Sequence, residues 1–175
     1  MAGGRIDSAL LNKYKTQKGQ SLGDLAQEGP VLLVFLRHFG CTFCREAVAE
    51  LGEIRTEIEA KGTRLAFVHL SDDDEKAQKF FAPHRLENVP RFADPEGYLY
   101  QSFGLLRAHW RQYVNTESIL RTLIAWLNGH WVGMPAGDVE RMPGAFLLVN
   151  GEIRKAFRHQ LVSDRPDYLS LAAVS

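Results

Sequence analysis

Six consecutive apolar residues, Val31 to Leu36 (VLLVFL), follow Gly29-Pro30 and lead to a turn at Gly40. A run without a polar position cannot leave one face in water, so it predicts a strand buried on both faces, at the centre of a parallel or mixed sheet covered by helices. Directly after the turn, Phe43, Ala47, Leu51, Ile54 and Ile58 recur at helical spacing, and Gly62 marks the stop. A long amphipathic helix therefore leaves the end of the most buried strand. With 175 residues, 45% of them hydrophobic and 24% charged, the chain suits one globular core and is too short for two.

The alternation continues. Arg64 to Leu70 reads as a second strand, and Ser71-Asp72-Asp73-Asp74 as the capped start of a helix through Phe80 and Phe81. Phe92-Ala93 reads as a short strand ending in the Asp94-Pro95-Glu96-Gly97 turn, with one or two helical turns over Tyr98 to Phe103. Ala145 to Val149, Asn150-Gly151 and Glu152 to Arg158 carry the strongest hairpin signal, because Asn-Gly suits a type I′ turn. Ahead of the first strand, Ile6, Leu10 and Tyr14 predict a helix over Ile6 to Lys18, closed by Gly19; behind the hairpin, Asp164 and Pro166 predict the start of a last helix through Tyr168, Leu169 and Ala172. Residues 107 to 141, with Trp110, Trp126 and Trp131, break the pattern and read as an insertion, in which Ile119, Leu123 and Trp126 form one face of a helix capped by Thr116. The expected organisation is one domain over 1–175, with a core over about 21–173 and an insertion over about 107–141.

The cysteines Cys41 and Cys44 bracket Thr42-Phe43 at the junction of strand and helix, where a C-x-x-C pair has redox meaning. Unpaired N–H groups and the positive end of the helix dipole favour a thiolate there, so Cys41 is expected to be the nucleophile. Cys44 lies on the same helical face, placed to attack a mixed disulfide or sulfenic acid on Cys41. Arg37, His38 and Arg45 are candidates to add positive potential; His38 either tunes the thiolate or merely meets solvent. His159 and Asp164 are candidates to face the site, with helix capping the plainer role for Asp164. Two rival readings of the pair are small apolar core residues and half of a zinc site. The second lacks another C-x-x-C or an H-x₃₋₅-H, so no metal is expected.

At this point the chain resembles the thioredoxin fold and, within it, the peroxiredoxin-like branch of the AhpC/TSA family. The resemblance rests on RHFGCTFCRE (Arg37 to Glu46), ADPEGYLYQSFGL (Ala93 to Leu105), MPGAFLLVNGEI (Met142 to Ile153) and FRHQLVSDRPD (Phe157 to Asp167). It implies an α/β fold, a thioredoxin-like central mixed sheet flanked by helices, with a helical insertion before the C-terminal hairpin. It further implies that Met142-Pro143 stands where the family has its cis-proline, facing the redox pair, so that Thr42, Phe43, Met142 and Pro143 would contact substrate. Typical members carry a proline seven residues before the reactive cysteine and a Thr or Ser three before it; this chain has Val34 and His38 there. Arg141 is a candidate for the family's partner arginine.

The expected function is thiol-disulfide exchange through a Cys41–Cys44 couple, with hydroperoxide reduction and a non-catalytic binding protein as alternatives. The partners would be a protein disulfide or hydroperoxide and an external thiol reductant. No bound cofactor is expected, because no G-x-G-x-x-G follows a strand. Lys plus Arg equals Asp plus Glu at 21 each, which gives nucleic acid no positive field to bind. No apolar run approaches the roughly 20 residues of a membrane span. The first thirty residues show no apolar block or cleavage-site pattern, so a reducing cytoplasm is the expected location.

Overall fold

The computed structural model describes residues 4–105, 141–161 and 163–174. The expected insertion, with its three tryptophans and the helix read after Thr116, lies outside them except for Arg141. The strands β1 (Val31–Phe35), β2 (Arg64–His69), β3 (Arg91–Ala93), β4 (Gly144–Val149) and β5 (Glu152–Arg158) form one five-stranded sheet in the order β3-β2-β1-β4-β5. β1 pairs with β2 and β2 with β3 in parallel; β4 runs antiparallel to both β1 and β5. The sheet is mixed and β1 is central, as the VLLVFL run requires. Asn150 and Gly151 turn β4 into β5 with φ of 52° and 76°, the left-handed pair that a type I′ turn needs.

Alternation along β1 divides the interior. Val31, Leu33 and Phe35 enter one apolar cluster; Leu32 and Val34 enter another on the opposite face. The first cluster is roofed by α1 (Ser8–Lys13), α2 (Leu22–Glu28) and α5 (Tyr98–Ser102), the second by α3 (Thr42–Ala60), α4 (Asp74–Phe81) and α6 (Tyr168–Ala172). Both cysteines belong to the second cluster. Helices on both sheet faces and the mixed strand order match the thioredoxin-like expectation.

Three local expectations change. The helix expected over Ile6 to Lys18 ends at Lys13, because Tyr14 turns extended and its hydroxyl donates to Asp94 Oδ1 at 2.8 Å. Lys15 then bridges Ser21, and Thr16 bridges Phe92 at the sheet edge. A separate helix, α2, follows; Ser21 caps it by accepting from the Asp24 N–H at 3.0 Å. The last helix begins later than expected: Asp167 caps it, accepting from Ser170 N–H, while Asp164 Oδ2 accepts from the Gln160 and Leu161 N–H groups. No described helix is long and apolar enough to cross a membrane.

Candidate active site

The end of β1 delivers Arg37 to a tight corner. Cys41 N–H donates to His38 O at 3.0 Å, and Cys41 becomes the N-cap of α3 in extended conformation, with no side-chain capping bond. The sulfur thus stands where a capping oxygen normally would, before unpaired helix N–H groups. Cys44 follows within the first turn. Both thiols are free and almost fully buried, at 5% and 3% exposure.

Burial alone would raise the pKa of both. The geometry splits them instead. Cys44 hydrogen-bonds Cys41; with the Arg37 charge and the N–H groups of Cys44 and Phe43, this outweighs burial and brings Cys41 down to about 6. Arg37 Nη1–H lies 3.5 Å from Cys41 Sγ, and its own residue is buried, which limits screening by water. The same bond to Cys41, together with burial, pushes Cys44 well above the ordinary thiol range. Its sulfur accepts from Arg37 N–H at 3.3 Å. At neutral pH the arrangement is a Cys41 thiolate beside a Cys44 thiol.

Of the three residues expected to add positive potential, Arg37 reaches the sulfur. His38 is held neutral, with a pKa lowered to about 4 by burial and by Arg37, so it adds no charge at pH 7. Arg45 directs its Nε–H to Phe39 O at 3.2 Å and braces the loop. The Arg141 guanidinium packs over Gly97, where a Cβ would meet Nη2 at 2.7 Å; it is not among the described residues lining the cleft at the cysteines.

That cleft has a cavity volume of about 20 Å³. Cys41, Phe43, Cys44 and Ala47 form its α3 side, Pro143 and Gly144 the β4 side, and His159, Asp164 and Tyr168 the C-terminal side. Phe43 and Pro143 therefore stand beside the sulfurs; Thr42 and Met142 are buried and do not line it. Among the described residues no peptide bond is cis, so Met142–Pro143 is trans, the isomer that X–Pro bonds prefer by about 0.5–1 kcal/mol. Pro143 still borders the redox pair, and its carbonyl accepts from His159 N–H at 3.4 Å. Burial holds the His159 imidazole neutral, at about 4. Glu50, also on the lining, is raised by burial, and Arg165 Nη1 stands 3.8 Å from its carboxylate. The sequence reading did not single out Glu50, Arg165 or Tyr168. Glu46 and Glu50, one helical turn apart ahead of an arginine, were the available signal, but their pairing with Arg165 spans over a hundred residues. No group of three or more His, Cys, Asp and Glu side chains suited to a metal occurs among the described residues.

Known proteins agree with this architecture. The chain is 34% identical to a prostamide/prostaglandin F synthase of Salmo salar over 94% of its own length and 82% of that protein. A Xenopus tropicalis protein of the same name is 24% identical, covering 97% and 84%. Among solved structures, the bacterioferritin comigratory protein of Xanthomonas campestris superposes with a TM-score of 0.63 at 14% identity, covering 93% of this chain and 90% of that one. Peroxidoxin BcpB from Mycobacterium tuberculosis gives 0.61 at 16%, covering 98% and 92%. These two likenesses show the fold. The sequence pattern of the AhpC/TSA family matches residues 7–153, which take in the whole strand–cysteine–helix corner, and the chain belongs to that family of thiol-dependent oxidoreductases.

Proposed function

We propose that the chain is a thiol-dependent peroxide reductase in which Cys41 is the nucleophile, Cys44 the resolving thiol, and Arg37 the cation that holds the thiolate. The observation that carries the reading is the size of the space before the sulfur. One water needs roughly 10–15 Å³. A cavity of about 20 Å³ admits a molecule the size of hydrogen peroxide or the terminal atoms of a larger peroxide. Sulfurs this buried favour a small oxidant over exchange with a protein disulfide. The relatives carry the name prostamide/prostaglandin F synthase, and this reading extends to organic hydroperoxides as well as hydrogen peroxide.

The Cys41 thiolate attacks the terminal oxygen of R–O–OH. An S–O bond forms, the O–O bond breaks, and RO⁻ leaves, taking a proton from water to become ROH. Cys44 then attacks the Cys41 sulfenic acid, forming the disulfide; its thiol proton leaves with the hydroxyl as water. An external dithiol restores both thiols and is itself oxidised to a disulfide.

Stopped-flow oxidation of reduced protein, read together with intact mass, tests this. Wild type is expected to react faster with hydrogen peroxide than with glutathione disulfide and to lose two hydrogens. Cys44→Ser is expected to stop at an oxygen adduct on Cys41, and Cys41→Ser to be inert. Faster reaction with the disulfide would replace the reading with thiol-disulfide exchange.

A further inference from the structure

Opposite α3, the cleft is walled by a short stretch of chain that includes Ser163, Asp164, Arg165 and Tyr168. The described ion pairs between that stretch and α3 are both made by Arg165. Its Nη2 pairs with Glu46, and its Nη1 stands 3.8 Å from the Glu50 carboxylate. The two glutamates are four residues apart and so share one face of α3, the face that also carries Phe43 and Ala47 of the cleft lining. The other acidic side chains of the stretch are engaged with backbone. Asp164 accepts from the Gln160 and Leu161 N–H groups, and Asp167 caps α6.

An isolated surface ion pair is a weak tether. Here one cation faces two anions, and the Glu46 side chain is only 11% exposed, so water screens that contact little. Arg165 thus ties the two walls together at the edge of the space that holds the sulfurs.

We infer that Arg165 is a specificity-determining residue, a clasp that draws this wall onto α3, admitting hydrogen peroxide and primary hydroperoxides to Cys41 and holding back tertiary ones. The inference rests on the peroxide-reductase reading and deepens it by naming the substrate class. The sulfur meets the terminal oxygen along the O–O axis, so the leaving oxygen and the carbon behind it must follow into a space of about 20 Å³. Hydrogen peroxide has no such carbon and a primary hydroperoxide presents a CH₂ there, whereas a tertiary one presents three branches. A branched peroxide therefore reacts through the minor population in which the walls have parted, and its rate falls by that fraction. The bonds made and broken at sulfur are unchanged; Arg165 acts on access.

Stopped-flow oxidation of reduced protein by ethyl hydroperoxide and by tert-butyl hydroperoxide tests this, with the ratio of the two rates as the readout. Wild type is expected to favour the primary peroxide. Arg165→Ala should raise the tertiary-to-primary ratio about fivefold, the gain that loss of a weak tether allows. Arg165→Lys keeps the charge without the two-nitrogen fork and should recover part of the discrimination. Glu46→Gln combined with Glu50→Gln should raise the ratio as Arg165→Ala does, and the three changes together no further, because each set removes the same contact. A ratio unchanged from wild type in folded Arg165→Ala would overturn the inference and leave the reductase reading standing. Gains that multiply in the triple variant would overturn it too, because Arg165 would then act other than through the two glutamates. Wild-type Cys41 inert to these peroxides and to hydrogen peroxide would overturn reading and inference together. If Arg165→Ala does not fold, the paired glutamine variant carries the comparison: a raised ratio supports the clasp, and an unchanged one rejects it.

Discussion

Two corners of this sheet are built alike and behave differently. β1 leads through a short loop into α3, and β2 leads through a short loop into α4, each parallel strand ending before a helix N-terminus. Each corner holds an almost fully buried arginine, Arg37 in the first and Arg91 beside the second. Arg91 is matched by acceptors: Asp74 Oδ1 at 2.7 and 3.2 Å, Gln78 Oε1 at 3.1 Å and Glu87 O at 2.9 Å. Asp73 caps α4 with its carboxylate, accepting from Lys76 N–H at 2.9 Å. In the α3 corner a sulfur occupies the capping position and Arg37 approaches that sulfur. Topology thus supplies the same positive pocket twice. The second corner uses it to anchor structure, and the first to hold an ionised thiol.

The comparison breaks most sharply by deleting each arginine. Arg91→Met removes a buried cation whose side-chain acceptors on Asp74 and Gln78 stay open to water, and the lost charge-assisted hydrogen bonds are expected to cost about 2 kcal/mol in urea unfolding, with Cys41 alkylation at pH 7 unchanged. Arg37→Met should do the reverse at the thiol. The Cys41 pKa rises from about 6 by the share that the Arg37 charge adds to the Cys44 hydrogen bond, and alkylation at pH 7 slows about tenfold, read by thiolate absorbance and iodoacetamide kinetics. If both variants altered alkylation equally, the two corners would not be distinct.

The pH dependence sharpens the contrast further. Cys41 reactivity should climb through pH 6 and flatten above about 7. Because the folded thiol is more acidic than the unfolded one, its contribution to stability is complete above the unfolded value of 9.0 and is lost as pH falls toward about 6. Beside the second corner, burial lowers His69 from 6.5 to about 4. The unfolded imidazole takes up a proton that the folded one refuses, so stability should fall as pH drops from 6.5 to about 4, and His69→Gln should flatten that slope in urea titrations. The smallest effect expected is from Asp73→Ala, about 1 kcal/mol from the lost cap, without change in thiol chemistry.

Elements set by neighbouring residues were legible in the sequence. The continuous run at Val31 to Leu36, the periodicity after Cys41 and the Asn150-Gly151 turn each carry their signal within a dozen residues, and each appears in the structure. The N-terminal helix is shorter than its apolar period predicts because Tyr14 obeys a partner eighty positions away, Asp94, rather than the local period. The start of α2 carries its signal in Ser21 and Asp24, beyond the expected helix that closes at Gly19, but a helix of 7 residues shows no sustained apolar period. At the site, the two cysteines and their order along the helix follow from the motif. The choice of Arg37 over His38 and Arg45 does not, because three basic residues around the cysteines look alike until backbone direction and burial separate them.

By itself the sequence determined a buried strand handing a sulfur pair to a helix N-terminus, since strand burial and helical period are short-range properties. Only the tertiary structure decided what surrounds that pair. Pro143, His159 and Asp164 come to line the same cleft as the sulfurs from about a hundred residues away or more, through the β4–β5 hairpin and the segment after it, and the narrowness of the cleft is a product of that long-range packing.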